Sequence, residues 1–141
     1  MIVDIADLFQ RALASRGCRV TRREHDWDFQ FGDHLGIAVA VPWRLVASDH
    51  IALTANDDKQ WFGLSEPVDA EARANALLDG AVVERVRPDA VTADLAIWFS
   101  NGLRLDIFNN STGYEGWQAS LTDDGKAVAV IAMGGGDFSI L

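Results

Sequence analysis

Alternating apolar and polar residues run through most of this chain and predict a protein built mainly of β-strands. Trp27, Phe29 and Phe31 alternate with polar residues, which is the period of a half-buried strand. Further strands are predicted at residues 37–41, 43–48, 50–55, 82–86, 95–99, 103–107, 116–121, 127–132 and 138–141. Most connections between them are short, which predicts antiparallel pairing, because a parallel crossover needs about a dozen residues or more.

Two segments have helical spacing instead. The first is predicted to run from an N-cap at Asp4 to a stop at Gly17, and the second from Asp69 to Gly80. The apolar face of the first helix is formed by Ile5, Leu8, Phe9, Ala12 and Leu13. Val3, before the N-cap, is predicted to pack on Leu8 as a hydrophobic staple. The prediction is a single α+β domain over residues 1–141, largely antiparallel sheet of about nine or ten strands, with an N-terminal helix and one mid-chain helix.

Residues 95–107 are predicted to form a hairpin whose register follows from its side chains. A two-residue turn at Asn101-Gly102 would place polar residues opposite apolar ones. A three-residue loop with a bulge at Gly102 brings apolar residues together instead and is preferred. The resulting pairs are Phe99 with Leu103, Ile97 with Leu105, and Leu95 with Ile107. The opposite face then carries Trp98, Arg104 and Asp106.

The net charge of −9 is unevenly distributed along the sequence. Residues 1–24 contain five arginines and three carboxylates, so the other 117 residues carry −11. Such a charge repels phosphate backbones and argues against nucleic-acid binding. It would attract a basic protein and speed their encounter, although it also serves solubility.

The lone cysteine, Cys18, excludes an internal disulfide and two-cysteine metal motifs. The first residues lack the basic and apolar regions of a secretory signal, and no apolar run reaches the ~20 residues of a membrane helix. A cytoplasmic protein that does not contact a membrane is the prediction.

Sequence motifs for catalysis are lacking. The three histidines, His25, His34 and His50, do not have the spacing of a zinc motif, although a site built from several strands with Asp26, Asp33 or Asp49 stays open. Residues 134–136, three glycines, are not a phosphate-binding loop and predict a sharp bend or a close backbone approach. The sequence predicts no catalytic residue, no metal site and no cofactor, which favours a non-enzymatic role.

Candidate interaction residues come from the aromatic side chains. In the segment FNNSTGYEGW, Tyr114 and Trp117 are of the type enriched in interfaces, and Glu115 is a candidate anchor; the alternative is that both rings pack at the sheet edge. Trp98, with Arg104 and Asp106, forms a second candidate surface. The tryptophans that could close a second core layer or line an open sheet face are Trp43, Trp61 and Trp98.

The C-terminal third of the chain carries a family resemblance. The segments DLAIWFSNGLRLDIF, GYEGW and VIAMGGG, and more loosely residues 42–45, resemble small bacterial domains of unassigned function. Some similar domains are encoded beside polymorphic toxins and are regarded as immunity proteins. The resemblance implies no catalytic residues.

Two functions from different classes follow as hypotheses. The first is a non-enzymatic protein-binding module, of which an acidic immunity-type inhibitor of a basic toxin is one form. The alternative is a small-ligand-binding or enzymatic domain with a pocket between sheet and helices, with tryptophan walls and polar contacts from Arg44, His50 or Glu115. Homo-oligomers formed through an exposed edge or a tryptophan-bearing face are compatible with either.

Overall fold

Two antiparallel sheets face each other across one hydrophobic core in the computed structural model, which describes residues 4–141. The elements in chain order are α1 (Ile5–Leu13), β1 (Arg19–Arg22), β2 (Trp27–Gly32), β3 (Leu35–Val39), β4 (Trp43–Val46), β5 (Ile51–Thr54), a 3₁₀ turn (Ala55–Asp57), α2 (Ala70–Leu78), β6 (Val83–Pro88), β7 (Leu95–Phe99), β8 (Arg104–Ile107), β9 (Trp117–Asp123), β10 (Lys126–Ala132) and β11 (Phe138–Ile140). One sheet has the order β1-β2-β3-β9-β10-β11 and the other β5-β4-β8-β7-β6.

The predicted α+β class is confirmed, with eleven strands among residues 4–141 in place of nine or ten. The additional strand is β1, whose sequence RVTR has one apolar residue and so shows no alternation. The predicted hairpin register is also confirmed: Ile97 pairs with Leu105 and Leu95 with Ile107, and Gly102 takes a φ of +87°.

The helix starts were predicted correctly, but one helix stop was wrong. Asp4 and Asp69 accept hydrogen bonds from backbone N–H groups of the first turns, as N-caps do. Gly80 ends α2 with a φ of +74°. The first helix ends at Leu13, before the predicted Gly17, because Ser15 turns with a φ of +67° and donates to the Val83 carbonyl. The predicted staple of Val3 on Leu8 lies outside the described residues.

Aromatic rings from both sheets meet in the core. Trp43 of β4 lies edge-on to Trp27 and Phe29 of β2, with ring centroids 5.1 and 5.3 Å apart. The chain passes from one sheet to the other through residues 40–42, where Pro42 makes the predicted bend. Trp43 therefore belongs to the shared core and not to an open sheet face.

Each helix covers one sheet edge with an amide side chain. The Gln10 side chain donates to the Glu84 carbonyl and accepts from the Val86 N–H, both at 2.9 Å, so it occupies the edge of β6. The Asn75 side chain does the same for both backbone groups of Val20 in β1, at 2.7 and 2.8 Å. Edge strands with free N–H and C=O groups can pair with other chains, and these two amides occupy part of that pairing surface.

The glycine segment 134–136 makes the predicted close backbone approach. A Cβ on Gly134 would overlap the backbone of Gly113, and one on Gly136 would overlap the Val91 carbonyl. The bend therefore packs two other loops against the start of β11 without side chains between them.

Replacing Gly134 with alanine is expected to lower the free energy of unfolding by about 2 kcal/mol or more, because the Gly113 backbone must shift. Urea unfolding followed by tryptophan fluorescence measures it. Gly17→Ala is the matched control, since its Cβ would have only an ordinary contact at 3.7 Å and the expected change is within about 0.5 kcal/mol. Equal stability of the two variants would contradict the close approach.

Candidate interaction site

Three large apolar side chains protrude from the segment between the 3₁₀ turn and α2, which we call the apolar loop (residues 59–68). Trp61, Phe62 and Leu64 are 57%, 64% and 53% exposed. Scattered exposed apolar residues are common on protein surfaces, but three within four consecutive positions make a patch. Such patches mark interaction sites, because leaving them in water opposes the hydrophobic effect.

The base of the apolar loop is closed by backbone hydrogen bonds. The Lys59 N–H donates to the Val68 carbonyl at 2.7 Å, and the Val68 N–H donates to the Gln60 carbonyl at 2.8 Å. Its tip is a tight turn in which Leu64 N–H donates to the carbonyl of residue 61 at 2.8 Å. The two central residues of that turn, 62 and 63, have φ of +47° and +73°, the conformation of a type I′ turn. The loop is therefore ordered before any partner arrives.

Arg22 of β1 joins the two ends of the apolar loop. Its Nε and Nη2 each donate to the Asp58 carboxylate at 2.7 Å, and Nη2 also donates to Asp69 at 2.9 Å. Asp58 accepts a further hydrogen bond from the Ala70 N–H at 3.0 Å. The Arg22 hydrogen bonds, with that backbone contact, hold the pKa of Asp58 below its ordinary value. The guanidinium thus fixes the segments that enter and leave the loop.

The surroundings of the apolar loop are acidic. Residues 57–71 contain five carboxylates and a single lysine, Lys59. Arg22 offsets part of this charge, since it contacts Asp58, Asp69 and Glu71 within 3.6 Å. An apolar tip on an acidic surface complements a pocket that is apolar inside and basic at its rim.

We call the hydrogen bonds of Arg22 with Asp58 and Asp69 the Arg22 clamp. Removing it is expected to change both stability and the dependence of stability on pH. Arg22→Gln should cost about 2 kcal/mol at neutral pH, because Asp58 loses two charge-assisted hydrogen bonds. In the native chain the lowered pKa of Asp58 means that the unfolded state binds more protons, so stability falls as the pH falls through the folded pKa. The variant should lose most of this dependence of stability on pH, which urea titrations at several pH values measure.

The matched control for that prediction is Arg23→Gln. Arg23 also pairs with a carboxylate, Asp26, through two bonds of 2.7 Å, but on a more exposed part of the surface. Exposed pairs contribute roughly 0–1 kcal/mol. An Arg22 variant no less stable than this control would show that the clamp does not hold the loop.

The structure brings three of the predicted site residues together on the outer face of the five-stranded sheet. Trp98 lies opposite Arg104 in the ladder between β7 and β8. Asp106 accepts hydrogen bonds from Arg104 at 2.7 and 3.0 Å and from Arg44 at 3.0 Å. Trp98 is half-buried among these side chains, and Asp106 is almost covered by them.

The other three predicted residues do not join that group. Tyr114 and Glu115 are exposed in the loop between β8 and β9, and neither lines the hollow beside Trp98. Trp117 is buried in the core: its Nε1 donates to the Ala93 carbonyl at 2.8 Å and its ring meets Phe9 edge-on. The assignment of Trp117 to an interaction surface was therefore wrong. The alternative that both rings pack at the sheet edge was also wrong, since β9 lies between β3 and β10 and Tyr114 is exposed.

The polar residues proposed for a pocket between sheet and helices lie apart. Arg44 is on the outer face of the sheet, His50 is in the turn before β5 beside Asp49, and Glu115 is in the loop before β9. A hollow of about 460 Å³ beside Arg22 and Trp27 is open to the surface and lies away from Arg44, His50 and Glu115. Within the same residues no three His, Cys, Asp or Glu side chains are placed to hold a metal. Burial raises the pKa of the Cys18 thiol, which disfavours the reactive thiolate.

Comparison of the chain with protein-family models, with curated proteins and with solved structures finds no match. In the part of the chain that the structure describes, no helix is both long enough and apolar enough to cross a membrane.

Proposed function

We propose that this chain is a non-enzymatic protein-binding module that engages a basic partner through the apolar loop. The observation that carries the proposal is the exposure of Trp61, Phe62 and Leu64 on an ordered turn within an acidic surface. Aromatic anchors of this kind dominate the energy of protein interfaces, where each contributes about 2 kcal/mol or more.

The construction of the loop favours tight binding. Because the backbone bonds to Val68 and the Arg22 clamp already order the loop, binding loses little conformational entropy. The surrounding carboxylates attract a basic surface and raise the association rate, and this contribution weakens with salt. The same carboxylates repel anionic lipid headgroups, which favours a protein over a membrane as the occupant.

The form of this function that we favour is an acidic, immunity-type inhibitor that masks a basic toxin domain. The net charge of −9 supports it, as does the resemblance of the C-terminal third to small bacterial domains, since some similar domains are encoded beside toxins. An inhibitor needs a stable contact surface and no catalytic machinery of its own. A second copy of this chain is the competing occupant of the loop. Such a dimer would place like charges opposite each other.

The test is affinity capture from the native host with the tagged full chain, at low and high salt, read by mass spectrometry. We expect a basic protein that is retained at low salt and retained less at high salt. A toxin domain encoded nearby is the candidate for binding assays with purified proteins. Retention of acidic proteins alone would contradict it. So would a dimer of the purified chain in sedimentation velocity that Trp61→Ser/Phe62→Ser converts to a monomer.

A further inference from the structure

The outer face of the five-stranded sheet is cationic although the chain is acidic. We call the arginines on this face, together with Trp98, the arginine face; they are Arg44, Arg85, Arg87 and Arg104. They are four of the chain's 12 lysines and arginines, and the carboxylate among them is Asp106. The four arginines and Asp106 sum to +3, so the rest of the chain carries −12. With Asp89 and Asp94, which lie beside the same face, the sum is +1.

Two of these arginines have no acidic partner and are held by a ring. The guanidinium carbons of Arg85 and Arg87 lie over the Trp98 ring, 4.4 and 5.6 Å from its centroid. Among residues 4–141, no carboxylate oxygen lies within 4.0 Å of either guanidinium. Trp98 thus orders two cations that form no ion pair within this distance. Arg87 still acts on Asp89, whose pKa is held below its ordinary value by backbone N–H groups first and by this guanidinium as a smaller cause. Since both guanidiniums occupy the ring, it is not available to stack on a ligand.

The other two arginines share a single carboxylate. Arg104 and Arg44 both donate to Asp106, and Arg44 also lies over the Phe108 ring at 5.1 Å. Asp106 is 8% exposed, so its negative charge is covered while the guanidiniums reach the surface. One cation of this group therefore remains uncompensated.

An open hollow of about 310 Å³ lies between these groups. Its polar and aromatic lining comes from Arg87, Trp98, Arg104, Asp106 and Phe108, and Asp89 and Asp94 also reach it from the ends of the neighbouring strands. The hollow is of side-chain size, and its three carboxylates limit an incoming anion to the part nearest the guanidiniums.

We propose that the arginine face is a second binding site, which takes a short acidic peptide segment of a partner protein. Guanidinium groups pair with carboxylates through two parallel hydrogen bonds, and here two of them are ordered in advance. A nucleic acid, which is a long polyanion, would extend beyond the face onto a surface that carries −12 and would be repelled there. The site is separate from the apolar loop and does not depend on the function proposed for it.

The test measures binding of a fluorescein-labelled peptide of ten glutamates by fluorescence anisotropy at low salt. Arg85→Glu/Arg87→Glu is expected to weaken binding by about tenfold or more, because two pairing cations become anions. The matched control, Arg19→Glu/Arg73→Glu, makes the same change in net charge at two exposed arginines elsewhere and should retain most of the affinity. Trp98→Leu keeps every charge and should weaken binding about fivefold, because the guanidiniums lose their ring.

Three results would overturn the proposal. They are no binding of the peptide to the native chain, equal losses in the test and control double variants, and tighter binding of a ten-nucleotide single-stranded DNA than of the peptide. Circular dichroism confirms that the variants are folded, and Trp98→Leu keeps the test decisive if the charge reversals unfold the chain.

Discussion

Replacing Trp61 and Phe62 with serine is expected to weaken binding of the captured basic partner by about 100-fold or more, while the chain stays folded. Both side chains are more than half exposed, so their loss removes interface contacts without leaving a cavity in the core. Isothermal titration calorimetry with the purified partner measures the affinity, and urea unfolding measures stability. The variant should be at least as stable as the native chain.

The control for this prediction is Val91→Ser/Tyr114→Ser. These side chains are 80% and 82% exposed, so the control removes a similar amount of apolar surface outside the loop. It is expected to bind the partner as the native chain does. If the control lost as much affinity as the loop variant, general surface hydrophobicity and not the apolar loop would be responsible.

Trp117→Ala is expected to destabilise the chain by about 3–5 kcal/mol, because a large buried ring leaves a cavity. The variant also leaves the Ala93 carbonyl without the hydrogen bond from Nε1 and removes the edge contact with Phe9. Urea unfolding measures the loss, and the thermal midpoint should fall with it.

The control is Trp98→Ala, which removes the same side chain from a half-buried position on the outer sheet face. Its expected cost is about 1 kcal/mol, since surface positions contribute little to stability. Should Trp117→Ala remain as stable as this control and abolish partner binding, the burial of Trp117 would be contradicted.

Alternation in the sequence was sufficient to predict the antiparallel class and the hairpin register. In residues 95–107 the three apolar pairs fit only one register, because a shift by one residue would turn every apolar side chain to water. The N-caps at Asp4 and Asp69 could also be predicted from the sequence, since a cap depends on the residue and its nearest neighbours. The stop of α1 depends on a hydrogen bond from Ser15 to Val83, a long-range contact that no local signal contains.

The candidate sites were harder to predict because they depend on which face or loop a residue occupies. Trp117 looked like an interface residue within FNNSTGYEGW, but it begins β9 and its side chain points inward. Trp61 was considered for a core layer or a sheet face and lies in neither. The available signal was the segment WFGL, apolar but without strand or helix period, between a polar turn and Pro67. Net charge also concealed the arginine face, because it averages a +3 cluster into an acidic total.

Hydrogen exchange on the complex with the captured partner shows whether the apolar loop is the binding surface. We expect the backbone amides of residues 60–66 to become protected on binding, while those of β7 and β8 next to the arginine face are unchanged. Protection confined to residues 111–116 or to the sheet face, with the apolar loop exchanging as in the free chain, would contradict it.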